Sequence, residues 1–178
     1  KFTDPAGNAN ADGGDSNNTT AITVNTIRPT IALSSSASSL KAGETATITF
    51  TLSESSSDFA LGDITVSGGT LGSFAGSGTD YTVVFTPAAN STTNGVISVA
   101  DNAFTNADGS DSNADGSDSN NKTTITVDTI RPTIALSSSA SSLKAGQTAT
   151  ITFTLSESSS DFALGDITVS GGALGSFI

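Results

Sequence analysis

One segment of this sequence occurs twice, almost without change. Residues 22–75 reappear as residues 125–178, shifted by 103 positions, and only four of the 54 positions differ. The differing pairs are Asn25/Asp128, Glu44/Gln147, Thr70/Ala173 and Ala75/Ile178. A period of about 100 residues is the size of an independent domain and not of a solenoid repeat. The sequence therefore predicts a tandem array: the C-terminal tail of a preceding unit at 1–25, a complete unit at 26–128, and the N-terminal part of a following unit at 129–178.

Alternation of apolar and polar residues predicts β-strands in each unit. In the run from 45 to 52, Ala46, Ile48, Phe50 and Leu52 alternate with four threonines, which places the apolar residues on one face. Further strands are predicted at Thr30–Leu33, Asp63–Val66, Leu71–Phe74, Tyr81–Thr86, Val96–Val99 and Thr123–Val127. The inward residues predicted for these strands and for the first tail include Tyr81, Val83, Phe85, Ile125, Val127, Ile22 and Val24.

The connections between these strands are rich in Gly, Ser, Asn and Pro, and no stretch shows the 3.6-residue period of a helix. About seven short strands per unit of this length predict an all-β fold, an immunoglobulin-like β-sandwich with Greek-key connections. The third unit ends before the counterparts of its later strands, so its sheet edge is expected to be exposed or completed by chain outside this sequence.

The composition excludes several classes of function. The chain has 17 acidic and 6 basic side chains, a net charge of −11, and neither Cys nor His. Disulfides, thiolate sites and imidazole chemistry are therefore absent, and the serine runs lack a base, so we expect no enzyme. An acidic chain is a poor ligand for phosphates, and no apolar run reaches 18 residues. We expect neither a nucleic-acid partner nor membrane insertion.

Residues 101–121, named here the acidic loop, contain five Asp and no basic residue. Within this loop the ligand types and spacing of a calcium loop, Asp-x-Asn-x-Asp-Gly, occur at Asp111, Asn113, Asp115 and Asp118. The earlier copy has the same spacing at Asn8, Asn10, Asp12 and Asp15. The bidentate Glu of an EF-hand is missing, since Lys122 and Thr19 stand at that place. The alternatives are a calcium-binding loop and a solvated Asp/Asn/Gly loop.

The expected topology predicts a second cation site at the joints between units. In a sandwich that the chain enters at one end and leaves at the other, the loop Ser53–Gly62 meets the acidic loop and the incoming linker. This gathers acidic and amide side chains whose mutual repulsion a divalent cation would relieve; the alternative is that they solvate or cap turns. The residues predicted for the first joint are Asn25, Glu54, Asp58, Asp63 and Asp101, and for the second Asp128, Glu157, Asp161 and Asp166.

The ordered series of motifs resembles the bacterial Ig-like domains of giant surface adhesins of the RTX and biofilm-associated types. The matching segments are Ala46–Glu54, Asp58–Phe59, Asp63–Gly69, Leu71–Phe74, Tyr81–Pro87, Gly95–Val99, Phe104–Thr105, Val127–Pro132 and, in the first copy, Phe2–Asn8. This resemblance implies a protein secreted to the bacterial cell surface, often by type I secretion, with tandem units stiffened by calcium.

The function expected from these features is a structural spacer that supports cell adhesion and biofilm formation. Its partners would be the neighbouring repeats of the same chain, and a host or cell-surface glycan or protein bound through other regions. Two alternatives stay open. One is a module that binds glycans or sister repeats, and the other is a self-assembling extracellular fibre or surface-layer subunit.

Overall fold

The computed structural model describes residues 2–178. Its strands are β1 (Ile31–Ser35), β2 (Ser39–Lys41), β3 (Ala46–Ser56), β4 (Ile64–Ser67), β5 (Gly69–Pro87), β6 (Gly95–Val99), β7 (Lys122–Asp128), β8 (Ile134–Ser138) and β9 (Ile151–Leu155). Short 3-10 turns lie at Ser16–Asn18, Leu61–Asp63, Ser119–Asn121 and Leu164–Asp166. Within the part of the chain that the structure describes, no helix has the length and apolar character to cross a lipid bilayer.

Residues 26–128 fold as two sheets, one with the order β1-β3-β5 and one with the order β2-β7-β6-β4. Neighbouring strands are antiparallel except β2 and β7, which run parallel. Inward residues of both sheets form one hydrophobic core. The prediction of an all-β, immunoglobulin-like sandwich is therefore confirmed.

The core follows the predicted alternation. Ala46, Ile48, Phe50 and Leu52 on β3 are all buried, while Thr47 and the other threonines of the strand point outward. The inward positions predicted for β5 and β7 are buried as well. Each buried aliphatic or aromatic side chain of this kind contributes about 1.5–3 kcal/mol. A period of two is therefore enough to specify which face of each long strand becomes the interior.

Phe59 is the centre of an aromatic cluster between the two sheets. Its ring centroid lies 5.5 Å from that of Phe50, 5.8 Å from Phe74, 5.1 Å from Tyr81 and 5.4 Å from Phe104, all in edge-to-face geometry. Phe104 belongs to the acidic loop, so this cluster joins the loop to the core. Aromatic pairs of this geometry stabilise by about 0.5–1.5 kcal/mol beyond the area they bury.

Two details of the strands differ from the sequence-based expectation. Strand β2 was not predicted, because its three residues offer a single inward side chain, Leu40. Strand β5 contains two predicted strands in one element: the chain doubles back where Gly76 and Gly78 adopt positive φ angles, which places Gly76 against Tyr81.

The flanking segments repeat parts of this unit. Strands β8 and β9 pair in the register of β1 and β3, with Ile134 opposite Leu155, and much of their apolar surface is exposed. The prediction that Ile22 and Val24 face a core is wrong for this chain, since they are 80% and 74% exposed. The strands that bury the equivalent Val127 are not duplicated before residue 22.

Candidate functional site

Asn113 is the centre of the acidic loop. Its side chain is fully buried; its Oδ1 accepts hydrogen bonds from the backbone N–H of Ala103 at 2.8 Å and of Phe104 at 3.3 Å. Its Nδ2 donates to the carbonyl of Ala100 at 2.8 Å and to Oδ1 of Asp115 at 3.2 Å. The amide therefore uses both of its ends to fasten the two arms of the loop together.

Asp115 fastens the loop to the first strand. Its carboxylate is buried, and Oδ2 accepts the backbone N–H of Ile31 at 2.7 Å. The glycine of the motif is required by close approach, because a Cβ at Gly116 would lie 2.3 Å from the backbone nitrogen of Asp101. The N–H of Gly116 in turn donates to Oδ1 of Asp101 at 2.6 Å.

Asp58 joins the loop after β3 to the acidic loop, as the topology predicted. Its Oδ1 accepts the N–H of Thr105 at 2.9 Å and the hydroxyl of Ser56 at 2.7 Å, while Oδ2 accepts the hydroxyl of Thr105 at 2.7 Å. Burial works to raise the pKa of Asp58, but the hydrogen bonds from Thr105 and Ser56 outweigh it and hold the pKa below its usual value.

The other residues predicted for the first joint are engaged locally. Asp63 caps the turn before β4, with Oδ2 accepting the N–H of Ala60 at 2.8 Å, and Glu54 is half-buried on β3. Asn25 lies in the linker, where its Oδ1 accepts the N–H of Ile27 at 3.1 Å. The structure therefore brings Asp58, Asp101 and Asp115 into the loops at one end of the unit, but it holds Asn25 in a turn of the linker itself.

The second joint and third unit repeat these local roles. Asp128 Oδ1 accepts the N–H of Ile130 at 3.2 Å, which is the bond that Asn25 makes in the first linker. Asp161 accepts the hydroxyl of Ser159 at 2.7 Å, Asp166 caps Ala163 at 2.9 Å, and Glu157 is exposed. The difference between Asn25 and Asp128 is tolerated because the turn needs only an Oδ1 acceptor.

The N-terminal copy of the acidic loop has the same local fold. Asn10 Nδ2 donates to Oδ1 of Asp12 at 3.3 Å, which matches the bond from Asn113 to Asp115. The N–H of Asp15 donates to the carbonyl of Asp12 at 2.9 Å, and its counterpart in the acidic loop does the same. The side chains of this copy lie mostly exposed.

One polar side chain of the acidic loop was not among the predicted site residues. Asn121 is 1% exposed, and neither its Oδ1 nor its Nδ2 has a hydrogen-bond partner within residues 2–178. Its counterpart Asn18 donates to the carbonyl of Asp12, and the predicted Asn8 donates to Asp4 at 2.9 Å. The sequence feature that points to this residue is an asparagine at the same place in both copies of the loop, Asn18 and Asn121.

These contacts show which oxygens of the motif already accept hydrogen bonds. The donor atoms are oxygens, as Ca²⁺ requires, but Asn113 Oδ1 and Asp115 Oδ2 already accept backbone N–H groups. Within residues 2–178 no group of three or more acidic side chains is arranged to hold a metal ion. Asn113 Oδ1 and Asp115 Oδ2 each have a second lone pair, so the calcium interpretation of the motif stays a prediction. Among the buried side-chain atoms of the described residues, those without a hydrogen-bond partner are Oδ1 and Nδ2 of Asn121.

The linker after β7 is fastened to the middle unit. Thr129 is buried; its N–H donates to the carbonyl of Ser91 at 2.9 Å, and its hydroxyl donates to the carbonyl of Ala88 at 2.7 Å. The N–H of Ser91 donates back to the Thr129 hydroxyl at 2.9 Å. Thr129, the first residue of the linker after β7, is therefore held by hydrogen bonds to the unit of residues 26–128.

The other end of this linker is fastened to the third unit. The N–H of Thr133 donates to the hydroxyl of Ser156, and the N–H of Ser156 donates to the carbonyl of Thr133, both at 2.9 Å. Thr30 and Ser53 make the same pair of bonds in the middle unit. Only residues 130–132, the last of which is a proline, lie between the two fastened positions.

The fold and these joints define a small all-β module built to follow another of its kind in one chain. The profile of the bacterial Ig-like domain family matches residues 25–126 and again residues 128–178. The chain belongs to this family. No curated protein and no solved structure matches the chain significantly.

Membership of this family has general consequences. Bacterial Ig-like domains are usually modules of extracellular and surface proteins. They are typically structural or adhesive and not enzymatic.

Proposed function

We propose that this chain is part of a secreted bacterial surface adhesin, in which successive Ig-like units hold an adhesive region away from the cell and so support adhesion and biofilm formation. The observation that carries this proposal is that the linker is hydrogen-bonded to a unit at each of its two ends. Thr129 is bonded to one unit and Thr133 to the next, and three residues separate them.

A linker of this kind transmits orientation from one unit to the next. Pro132 fixes its own φ angle and disfavours helical conformations for Arg131, so both residues favour extended backbone. Flexible spacers, in contrast, are long and rich in Gly and Ser. The partners in this proposal are the neighbouring repeats, and the adhesive contact with a glycan or protein is made by other regions of the full protein.

In this proposal, calcium is bound by surface carboxylates. Residues 26–128 carry eleven acidic and three basic side chains. Five of the acids lie in the acidic loop, and a sixth, Asp58, lies in the loop that follows β3. Binding of a divalent cation at free oxygens such as those of Asp118 would reduce the repulsion between adjacent units. Because Asn113 and Asp115 are bonded within the protein, the fold of the unit does not depend on this cation.

The stiffness of the joint is measurable by distances between spin labels. The chain has no cysteine, so Thr51→Cys with Thr154→Cys places one label on an exposed position of β3 and one on the equivalent position of β9. We expect a narrow distance distribution that broadens when Gly-Ser-Gly-Ser is inserted after Arg131. The same insertion after Gly109, an exposed tip of the acidic loop, is the control.

Two outcomes separate the parts of this proposal. A distribution in the unaltered chain as broad as that of the linker insertion would overturn the spacer. If calcium narrows the distribution and a chelator reverses the change, the cation contributes to stiffness; if neither has an effect, calcium is removed from the proposal and the fastened linker alone accounts for the joint.

A further inference from the structure

The sequence contains a single Asn-Gly pair, Asn94-Gly95, and the fold places it at the start of strand β6. Packing requires the glycine, because a Cβ at this position would lie 2.4 Å from Cζ of Phe85, whose ring is fully buried in the core. Asn94 itself is exposed. The core therefore imposes a glycine directly after an exposed asparagine.

An asparagine that is followed by glycine can lose its side-chain amide without an enzyme. The main-chain nitrogen of the glycine attacks Cγ of the asparagine and a C–N bond forms. The proton of that nitrogen passes to the side-chain nitrogen, which leaves as ammonia. Water then opens the cyclic imide at either carbonyl, which gives aspartate or isoaspartate. Glycine favours the attack because it has no side chain to hinder the approach.

In the folded unit the nitrogen of Gly95 is held in the sheet. The N–H of Thr126 donates to the carbonyl of Ser38, beside β2, so the N–H and C=O of the preceding Ile125 point the opposite way, to β6. Ile125 stands directly opposite Gly95 in antiparallel register. In this arrangement the two residues exchange both of their backbone hydrogen bonds. The nitrogen that would attack Asn94 is therefore occupied while β6 is paired.

The main chain around this pair is also confined on the side of β4. A Cβ at Gly68 would lie 2.2 Å from the carbonyl oxygen of Asn94, so the two backbones are in close contact. The next positions, Ser67 and Val96, are paired in the sheet. In isoaspartate the main chain runs through the side-chain carbonyl and is longer by one methylene group. An insertion at this point displaces β6 from its register with its neighbours.

We propose that Asn94-Gly95 is a modification site that records the opening of the unit. While β6 is paired, the asparagine is protected. When β6 leaves the sheet, the amide is lost by reaction with water, and isoaspartate opposes the return of the strand to its register. This goes beyond the role of a spacer, because it turns a reversible opening into a permanent chemical change.

The first test compares the rate of deamidation at Asn94 in the folded and the unfolded full chain. Peptide mapping by mass spectrometry follows the reaction at neutral pH in buffer and in urea. Because the open fraction of a stable domain is below about 10⁻³, we expect the reaction to be at least about 100-fold slower in buffer. Ile97→Ala weakens the core at β6 and should raise the rate in buffer but not in urea. Equal rates of the unaltered chain in buffer and urea, or an unchanged rate in Ile97→Ala, would overturn the protection by the sheet.

The second test measures whether the modified unit still folds. The chain is aged in urea, and the isoaspartyl form is isolated by chromatography and returned to buffer, where the fluorescence of the single tyrosine, Tyr81, reports on the middle unit. Asn94→Asp has the same charge on a normal main chain and is the matched control. We expect the urea midpoint of the isoaspartyl chain to lie at least about 1 M below that of Asn94→Asp. A smaller difference would show that the modification does not oppose the return of β6, and the proposal would be wrong.

Discussion

The substitution Asn113→Asp separates the two roles that the Asp-x-Asn-x-Asp-Gly motif can have. In a calcium loop, an additional carboxylate at this position adds a ligand and strengthens binding. In the observed structure the same change removes the Nδ2 donor that bonds Ala100 at 2.8 Å and Asp115 at 3.2 Å. The two hypotheses therefore predict effects of opposite sign.

The expected cost follows from these contacts. The carbonyl of Ala100 loses its side-chain partner inside the loop, which costs about 1–3 kcal/mol. The new carboxylate oxygen also faces the buried carboxylate of Asp115, and an unpaired buried charge adds a further penalty of roughly 2 kcal/mol or more. We expect the free energy of unfolding to fall by about 3–5 kcal/mol in total, or a fall of roughly 2 M in the urea midpoint for a domain of this size.

The chain provides both the probe and the control for this measurement. Tyr81 is the single tyrosine, there is no tryptophan, and the ring is buried in residues 26–128, so its fluorescence follows the middle unit alone. Asn10→Asp makes the same chemical change in the N-terminal copy and should leave that signal unchanged. An Asn113→Asp chain that loses less than about 1 kcal/mol, or that gains stability from calcium, would refute the assignment of Asn113 as a fastening residue.

Two further predictions concern the same end of the unit. Because the folded pKa of Asp58 is lowered, its contribution is fully present above the unfolded pKa of about 3.9 and is lost as the pH falls through the folded pKa. The urea midpoint of Asp58→Asn, which keeps shape but weakens the bonds from Thr105, should therefore lie below that of the unaltered chain at pH 7 and converge with it in acid; a constant gap would contradict the assignment. Phe59→Ala should reduce the stability reported by Tyr81 by about 3–5 kcal/mol, because four aromatic contacts are lost. The equivalent Phe162→Ala in the third unit should not, and a similar loss from both would show that the units unfold together.

Strand positions were predictable where one face of a strand is buried over several residues. In β3 four inward residues repeat the period of two, and the register is thereby fixed. Strand β2 has one inward residue, Leu40, and its pairing with β7 is set by the path of the chain between the two sheets. A pattern of one residue carries no period, so sequence alone does not reveal this strand.

The candidate site shows a different limit. Alternate side-chain oxygens around a tight turn suit a hard cation, and they suit a set of backbone N–H groups equally well. The sequence indicates the spacing of Asn113 and Asp115 but not which donors reach them. Ile31 lies 84 positions from Asp115, and its N–H arrives there only because the sandwich places the start of β1 beside the acidic loop. Long-range topology therefore decides which N–H groups reach these oxygens.

The linker after β7 also bears on a misfolding risk of near-identical repeats, which is the exchange of strands between neighbouring units. Strands β8 and β9 have the same residues as β1 and β3 at every inward position, so they are competent to pair with β5 in the place of β1 and β3. Exchange of strands between similar neighbours is a general route to misfolding in tandem proteins. For β8 to replace β1 within one chain, Ile134 would have to return along the whole length of β7, about 20 Å for seven residues. The chain from Thr129 to Ile134 spans at most about 17 Å when fully extended, and Thr129 is held by its bonds to Ala88 and Ser91. The short linker, anchored at Thr129, therefore prevents each unit from borrowing the strands of the next.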